Sequence, residues 1–420
     1  MAATRHDLND RLVAAVTAED AGTVRALLED GADADTPGPD GLPLLCAAVA
    51  GFDHQSAWAL MDGGADSDSE LPDGTTPLPR AVDLGSPALV EAVLGKDPRL
   101  RLADAAQERL LDLARHWYET GEAEELRRRT GAAGPADRRL VEDAAFTDVE
   151  EVSLGGLTVR AGHSAVLTSL EGAFGVLPPR AEVVARAVSY PDECHVNWST
   201  AICTLRRSSQ AWSALTVLRH HPDPLHRLFL DDALWCQNTW AAIGPWQGDG
   251  QDLEFLAAWA LDESDGRVLA KVLDAYTDQE HPGQEAIGLR YADHPDPRVR
   301  SQVPYCLLLH RTAPTEAAVT TVLALSRDPD PGVRAAAARS LGARELLPAF
   351  REALLNLLQD PDHGVRACAA VSLSGSDDRT AVVADALAAL MDEGDQLFRA
   401  SGLWHYRSRN RPTEHDRAAG

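Results

Sequence analysis

Asp328-Pro329-Asp330-Pro331-Gly332-Val333-Arg334, followed by Ala335-Ala336-Ala337-Ala338-Arg339-Ser340-Leu341-Gly342, recurs thirty-two residues later. The second copy is Asp360-Pro361-Asp362-His363-Gly364-Val365-Arg366, followed by Ala367-Cys368-Ala369-Ala370-Val371-Ser372-Leu373. Asp is placed to cap a helix, Pro331 fits a first turn where its missing N–H is harmless, and Val with the later Ala and Leu positions makes an apolar stripe. A unit that repeats every ~30 to 35 residues, each copy opening a short helix, marks an α-solenoid, in which each repeat buries its apolar face on its neighbours.

Weaker copies precede these two. Asp296-Pro297-Arg298-Val299-Arg300 lies 34 residues before Asp330, and Asp265-Gly266-Arg267-Val268 lies 31 before that, so Val268, Val299, Val333 and Val365 step by 31, 34 and 32. Fainter copies begin at Asp192 to Val196 and at His221-Pro222-Asp223-Pro224. Arg300, Arg334 and Arg366 occur once per repeat and are expected to pair with Asp residues of adjacent turns as a ladder, a structural role rather than an acid–base one. Residues 180–398 resemble the HEAT family, in particular the HEAT-like repeats also found in phycobilin lyases. That resemblance rests on Asp-Pro-x-x-x-Val-Arg followed by an Ala-rich helix ending in Leu-Gly.

The amino-terminal part has its own period. Gly31-Ala32-Asp33 recurs as Gly64-Ala65-Asp66 and Asp40-Gly41 as Asp73-Gly74, both at a spacing of 33. With Val24-Arg25-Ala26-Leu27-Leu28 before the first mark and Thr75-Thr76-Pro77-Leu78 after the last, residues 1–97 resemble the ankyrin family. Pro79 and Arg80 depart from its pattern, and Leu42-Pro43-Leu44 lacks its Thr. About two and a half repeats are marginal alone and are expected to dock on the segment that succeeds them in the chain. Residues 98–179 read as a helical connector, with Leu110, Leu111, Ala114 and Trp117 on one helix face and a break at Gly131-Ala132-Ala133-Gly134-Pro135. Within it, Glu151 to Arg160 alternates about Gly155-Gly156, the pattern of a short β-hairpin. The expected fold class is therefore all-α, an α-solenoid of ankyrin and HEAT-like repeats with a short hairpin near 151–160 and a basic tail at 399–420.

Composition limits the function. The chain has 420 residues and a formal net charge of −26. Residues 1–97 carry 18 Asp and Glu against 5 Lys and Arg, a net of −13. Such a surface opposes nonspecific attraction to nucleic acid or anionic lipid. Six scattered cysteines without a Cys-x-x-Cys pair read as buried free thiols, and the absence of an apolar signal or spanning stretch points to a cytoplasmic protein.

No motif names a reaction, no cofactor is implied, and no catalytic or metal residue is assigned. His220-His221 with His226 lacks the partner that would complete a metal site, and the neighbours Cys194 and His195 point apart. One anomaly remains: six of the nine tryptophans, Trp198, Trp212, Trp235, Trp240, Trp246 and Trp259, fall within 62 residues of the least regular repeats. The plainer reading makes them large core fillers; the sharper one makes the region a binding surface with the 243–250 loop as its mobile part. On the sharper reading, Trp198, Arg206, Asp231, Trp235, Trp240 and Trp246 are the candidate contact residues.

The leading expectation is a non-enzymatic scaffold binding a protein or peptide, a basic one, on a concave surface. The alternative is an enzyme or accessory factor acting on a modified peptide or secondary metabolite. A HEAT-like DNA glycosylase ranks last, since only the architecture and the nearby Arg206, Arg207, Asp231 and Asp232 suggest it.

Overall fold

Short helices joined in pairs account for most of the chain in the computed structural model. It describes residues 4–69, 74–145, 147–176, 178–190, 195–206, 215–241, 251–278, 280–309, 314–342 and 347–374, with 381 and 385. The chain divides into two compact units, Met1–Leu218 and Arg219–Gly420.

The first unit begins with α1 (Arg5–Thr17), α2 (Ala21–Glu29), α3 (Leu44–Ala50), α4 (His54–Asp62), α5 (Pro77–Leu84) and α6 (Pro87–Leu94). Asp20 and Asp53 start α2 and α4 by accepting the Thr23 and Ser56 amides, each at 3.0 Å. Gly31 and Gly64 follow those helices at φ 97° and 90°, a left-handed backbone that suits glycine. After α7 (Pro98–Arg101) come α8 (Asp104–Thr120) and α9 (Glu122–Thr130), and later α10 (His163–Phe174), α11 (Arg180–Val188) and α12 (Val196–Arg206). Leu12, Leu45, Leu60, Leu89, Leu110 and Leu167 lie in one continuous core, so α8 and α10 share the interior of the amino-terminal pairs.

The all-α expectation needs correction. The hairpin at 151–160 is the last two-thirds of a three-stranded antiparallel sheet, β1 (Asp137–Ala144), β2 (Thr147–Leu154) and β3 (Leu157–Arg160), in the order β1-β2-β3. Gly155 and Gly156 make its tight turn at φ 61° and 83°. Asp137-Arg138-Arg139 gave β1 no apolar alternation, and most of that strand is exposed, which is why periodicity missed it. Val152, Leu154 and Val159 pack with Trp117 and Leu126. Asp143 ties β1 to the helices: its buried carboxylate accepts from Ser86 Oγ (2.6 Å), the Ala88 amide (2.9 Å) and Arg160 (2.7 Å). It thereby satisfies donors at the start of α6.

The second unit contains α13 (Pro224–Ala241), α14 (Gln251–Asp262), α15 (Gly266–Thr277), α16 (Gln284–Tyr291), α17 (Pro297–Arg300), α18 (Val303–Leu308), α19 (Glu316–Leu325), α20 (Pro331–Leu341), α21 (Pro348–Leu357) and α22 (His363–Ser374). Asp265, Asp296 and Asp330 cap α15, α17 and α20 through backbone amides two or three residues on. Val268, Val299, Val333 and Val365 are fully buried.

The arginine ladder is present. Arg300 grips Asp328 at 2.8 and 2.8 Å, and Arg334 grips Asp360 at 2.7 and 2.8 Å. Arg227 does the same to Glu263 at 2.9 and 3.0 Å. In each case Nη1 also donates to two carbonyls of the preceding turn. The acid stands two residues before the next cap. Where the arginine position is Leu269, the matching acid position is His294, so the step loses both partners together and no buried charge is stranded.

Candidate functional site

Counting from the buried valine of each repeat, a residue six positions on lies about 240° around an unbroken helix, turned from the core. In α15, α18 and α20 the sixth positions are Asp274, Tyr305 and Arg339. These three helices face one another in sequence order, and this row lines a groove of about 480 Å³ together with Gln302, Ser301 and Ala336.

Local sequence shapes the groove. Pro304 has no N–H to give to the carbonyl of Arg300 and its ring crowds that carbonyl, so the helix that runs unbroken in α20 and α22 is split here into α17 and α18. Ser301 and Gln302 occupy the break, with the Ser301 amide bonded to Pro297 O at 2.9 Å and that of Gln302 to Val299 O at 3.0 Å. The Gln302 side chain reaches inward: its Oε1 is buried without a hydrogen-bond partner among the described residues. An unsatisfied buried acceptor of this kind costs about 1–3 kcal/mol.

Beside it, Arg339 is held from two sides. Its Nε donates to the Tyr305 hydroxyl at 2.8 Å and its Nη1 to Cys368 Sγ at 3.1 Å. No bond from Nη2 to a described residue is seen, and the Tyr305 hydroxyl, having accepted, keeps its own proton to donate. On the facing helix, Asp274 is exposed by area but crowded by protein atoms. Desolvation raises its carboxyl above the usual carboxylate range, against a weaker opposite pull from Lys271. The groove thus has an acidic side at α15, a carboxamide on its floor and a cationic side at α20. Below it, burial pushes the Cys306 thiol up to about 12, which makes that cysteine an inert core residue.

The tryptophan cluster divides differently. Trp198 is fully buried in the first unit and its indole N–H donates to Tyr190 O at 2.9 Å, so as a contact residue it is corrected to core. Trp259 is likewise buried and donates to Glu263. Arg206 ends α12, half-buried, in the first unit; Asp231 is buried and Trp235 is 46 % exposed, both on α13 of the second. Trp240 lies on α13, but its side chain is outside the described residues, as are Trp212, Trp246 and the 243–250 loop. His221 and His226 stack at 3.8 Å and Asp223 bonds His226, a repeat turn. His195 is buried and stacks on Tyr190, with Cys194 outside the described residues. Of the cysteines, Cys46 and Cys306 are buried as expected, whereas Cys203 is exposed.

A model of HEAT repeats matches residues 318–404. That stretch of the chain is HEAT repeat. No curated protein matches the chain. The match begins inside α19 and includes α20 to α22, so Arg339 and Cys368 stand on HEAT-repeat helices. Among the described residues no helix is long and apolar enough to cross a membrane. The outward place of Asp274, Tyr305 and Arg339 is legible as the sixth position after each hallmark valine, whereas their meeting in one groove is not.

Proposed function

We propose that the protein is a non-enzymatic repeat scaffold and that its second unit binds a protein or peptide partner through the groove between α15, α18 and α20. HEAT-repeat domains typically serve as protein-interaction scaffolds. The observation that carries the reading is the row Asp274, Tyr305 and Arg339: these side chains occupy equivalent outward positions that neither the core nor the arginine ladder uses. Polar, shallow and stepped by one helix per residue, such a row suits an elongated partner better than an enclosed small molecule, which calls for an apolar cavity. The net charge of −26 favours a basic partner and disfavours nucleic acid.

Two finer assignments belong with this reading. HEAT-like repeats extend upstream of the matched stretch as far as α13, supported by the Arg227–Glu263 pair at the ladder position. Residues 1–97 are ankyrin-type repeats, supported by the paired short helices and by Gly31 and Gly64 at equivalent helix ends. The comparisons offer no counterpart for that amino-terminal assignment.

Affinity capture with the full chain tests the proposal. A protein retained by the wild type and lost by the Tyr305→Ala, Arg339→Ala double variant supports it, provided the variant keeps its helical content. Retention of the same proteins by both refutes the groove as the binding face, and retention of a small metabolite alone refutes the scaffold reading.

A further inference from the structure

We propose that the outer edge of β1 pairs antiparallel with the same strand of a second copy of this chain, about a two-fold axis through Leu140. The direction of the backbone groups comes first. Glu150 O accepts the Ala161 amide at 2.7 Å, so the polar groups of Glu150 point away from β1. Leu140 stands opposite Glu150. In an antiparallel ladder such a residue makes no bond to its neighbour, so the N–H and C=O of Leu140 point outward, and by alternation those of Arg138 and Glu142 do as well. The two-residue turn at Gly155-Gly156 gives the same phase: it closes on the bonded pair Leu154 and Leu157, and Leu154 alternates in step with Glu150. Among the described residues no strand lies on the outer side of β1. Arg138, Leu140 and Glu142 are all exposed, Leu140 by 61 %, and an edge of that kind is a template for another strand.

The side chains choose the partner. Arg138, Leu140 and Glu142 share one face of the strand. Antiparallel pairing about Leu140 sets that leucine on its own counterpart and sets Arg138 of each copy on Glu142 of the other, so the charges complement each other twice. Each facing pair also exchanges two backbone bonds. The neighbouring registers fail. A two-fold at Arg139 sets like charges together, and one at Val141 sets Glu142 against Leu140 and Arg138 against Ala144. Edge strands are commonly blunted by proline, a bulge or repeated like charge, but the β1 bulge lies beyond this stretch, between Glu142 and Ala144, and the charges here differ in sign. Arg138 already holds Glu150 at 2.6 Å, yet its side chain is 45 % exposed and a guanidinium has five donors, so it can meet a second carboxylate. Arg138 to Glu142 spans ~17 Å, a small contact, so monomer and dimer should interconvert with concentration.

Sedimentation velocity of the full chain over a range of concentrations tests this, at ~0.15 M salt, where repulsion between copies of charge −26 is screened beyond ~8 Å. The wild type should shift from monomer to dimer as concentration rises. Arg138→Glu and Glu142→Arg each set like charges opposite one another twice and should weaken association about tenfold or more. An equimolar mixture of the two variants restores both opposite-charge pairs, so it should associate more tightly than either alone. Leu140→Pro should abolish the dimer while keeping the β1–β2 ladder, because the N–H it removes faces outward. Unchanged helical content and thermal midpoint then separate lost association from lost folding. A wild type that stays monomeric throughout, a dimer indifferent to these variants, or a mixture no tighter than its components overturns the inference. None of these outcomes bears on the groove of the second unit, which the affinity capture tests separately.

Discussion

Arg334 and Asp360 allow the repeat-to-repeat ladder to be tested with a substitution that the chain has already made elsewhere. Arg334 donates twice to Asp360, at 2.7 and 2.8 Å, and through Nη1 to Asp328 O and Pro329 O at 2.9 and 3.0 Å. The two side chains are only 14 % and 7 % exposed. Arg334→Leu removes all four bonds and leaves a nearly buried carboxylate without its cation, which costs about 3–5 kcal/mol. Asp360→His leaves the guanidinium its two carbonyls and costs less, about 2 kcal/mol. The double variant reproduces the Leu269 and His294 step of the same array, where neither charge is present, so the two losses should not add. The expected coupling is about 2 kcal/mol. Urea unfolding of the full chain gives the free energies. Amide hydrogen exchange across 331–374 assigns them to these repeats, because an array need not unfold in one step. A loss under about 1 kcal/mol for Arg334→Leu, or simple additivity of the two single variants, would refute the ladder as a stabilising element. The hydrogen-bonded guanidinium holds the Asp360 carboxyl below its usual value, so this stability is full above the ordinary carboxylate range and declines as pH falls through the lowered one.

Further outcomes rest on burial, close approach and charge. Trp198→Ala should cost about 3–5 kcal/mol in urea unfolding and Trp235→Ala under about 1, because the first ring is fully buried and the second 46 % exposed. In Gly342→Ala the new Cβ would lie 2.2 Å from Ser372 Cβ and force α20 and α22 apart, a loss of about 2–3 kcal/mol. Gly332→Ala, which meets only the Asp330 side chain at 3.0 Å, should fall within about 0.5 kcal/mol of wild type, and thermal melts of both compare them. In the first unit, Arg128 and then Arg129 and His116 hold the buried Glu125 carboxyl down to about 2. Its contribution is complete above the unfolded value of about 4.3 and is lost as pH falls through about 2. The melting midpoints of wild type and Glu125→Gln should therefore differ at neutral pH and converge toward pH 2.

Several of these features are legible in the amino-acid sequence, and the reasons others are not are physical. Asp330 and Asp362 announce helix starts because a cap is a local bond between a side chain and amides two or three residues on. Gly155-Gly156 announces a turn because two successive positive φ values suit glycine. β1 escaped notice because its pairing partner β2 lies across a turn and its outer face is polar, so no periodicity marks it. The tryptophans misled because clustering in sequence says nothing of direction: Trp198 and Trp259 turn inward while Trp235 turns out.

Repeat length, helix starts, the buried valines and the charge of −26 were determined by the sequence alone, since each depends on residue type and short spacing. Tertiary structure decided the rest. The three-stranded sheet, the joining of α8 and α10 to the amino-terminal core, and the meeting of Asp274, Gln302, Tyr305 and Arg339 in one groove all depend on strands or helices being packed side by side. Packing of one helix pair on the next does this for the groove. It is set by the summed apolar faces of whole repeats rather than by any stretch that can be read locally.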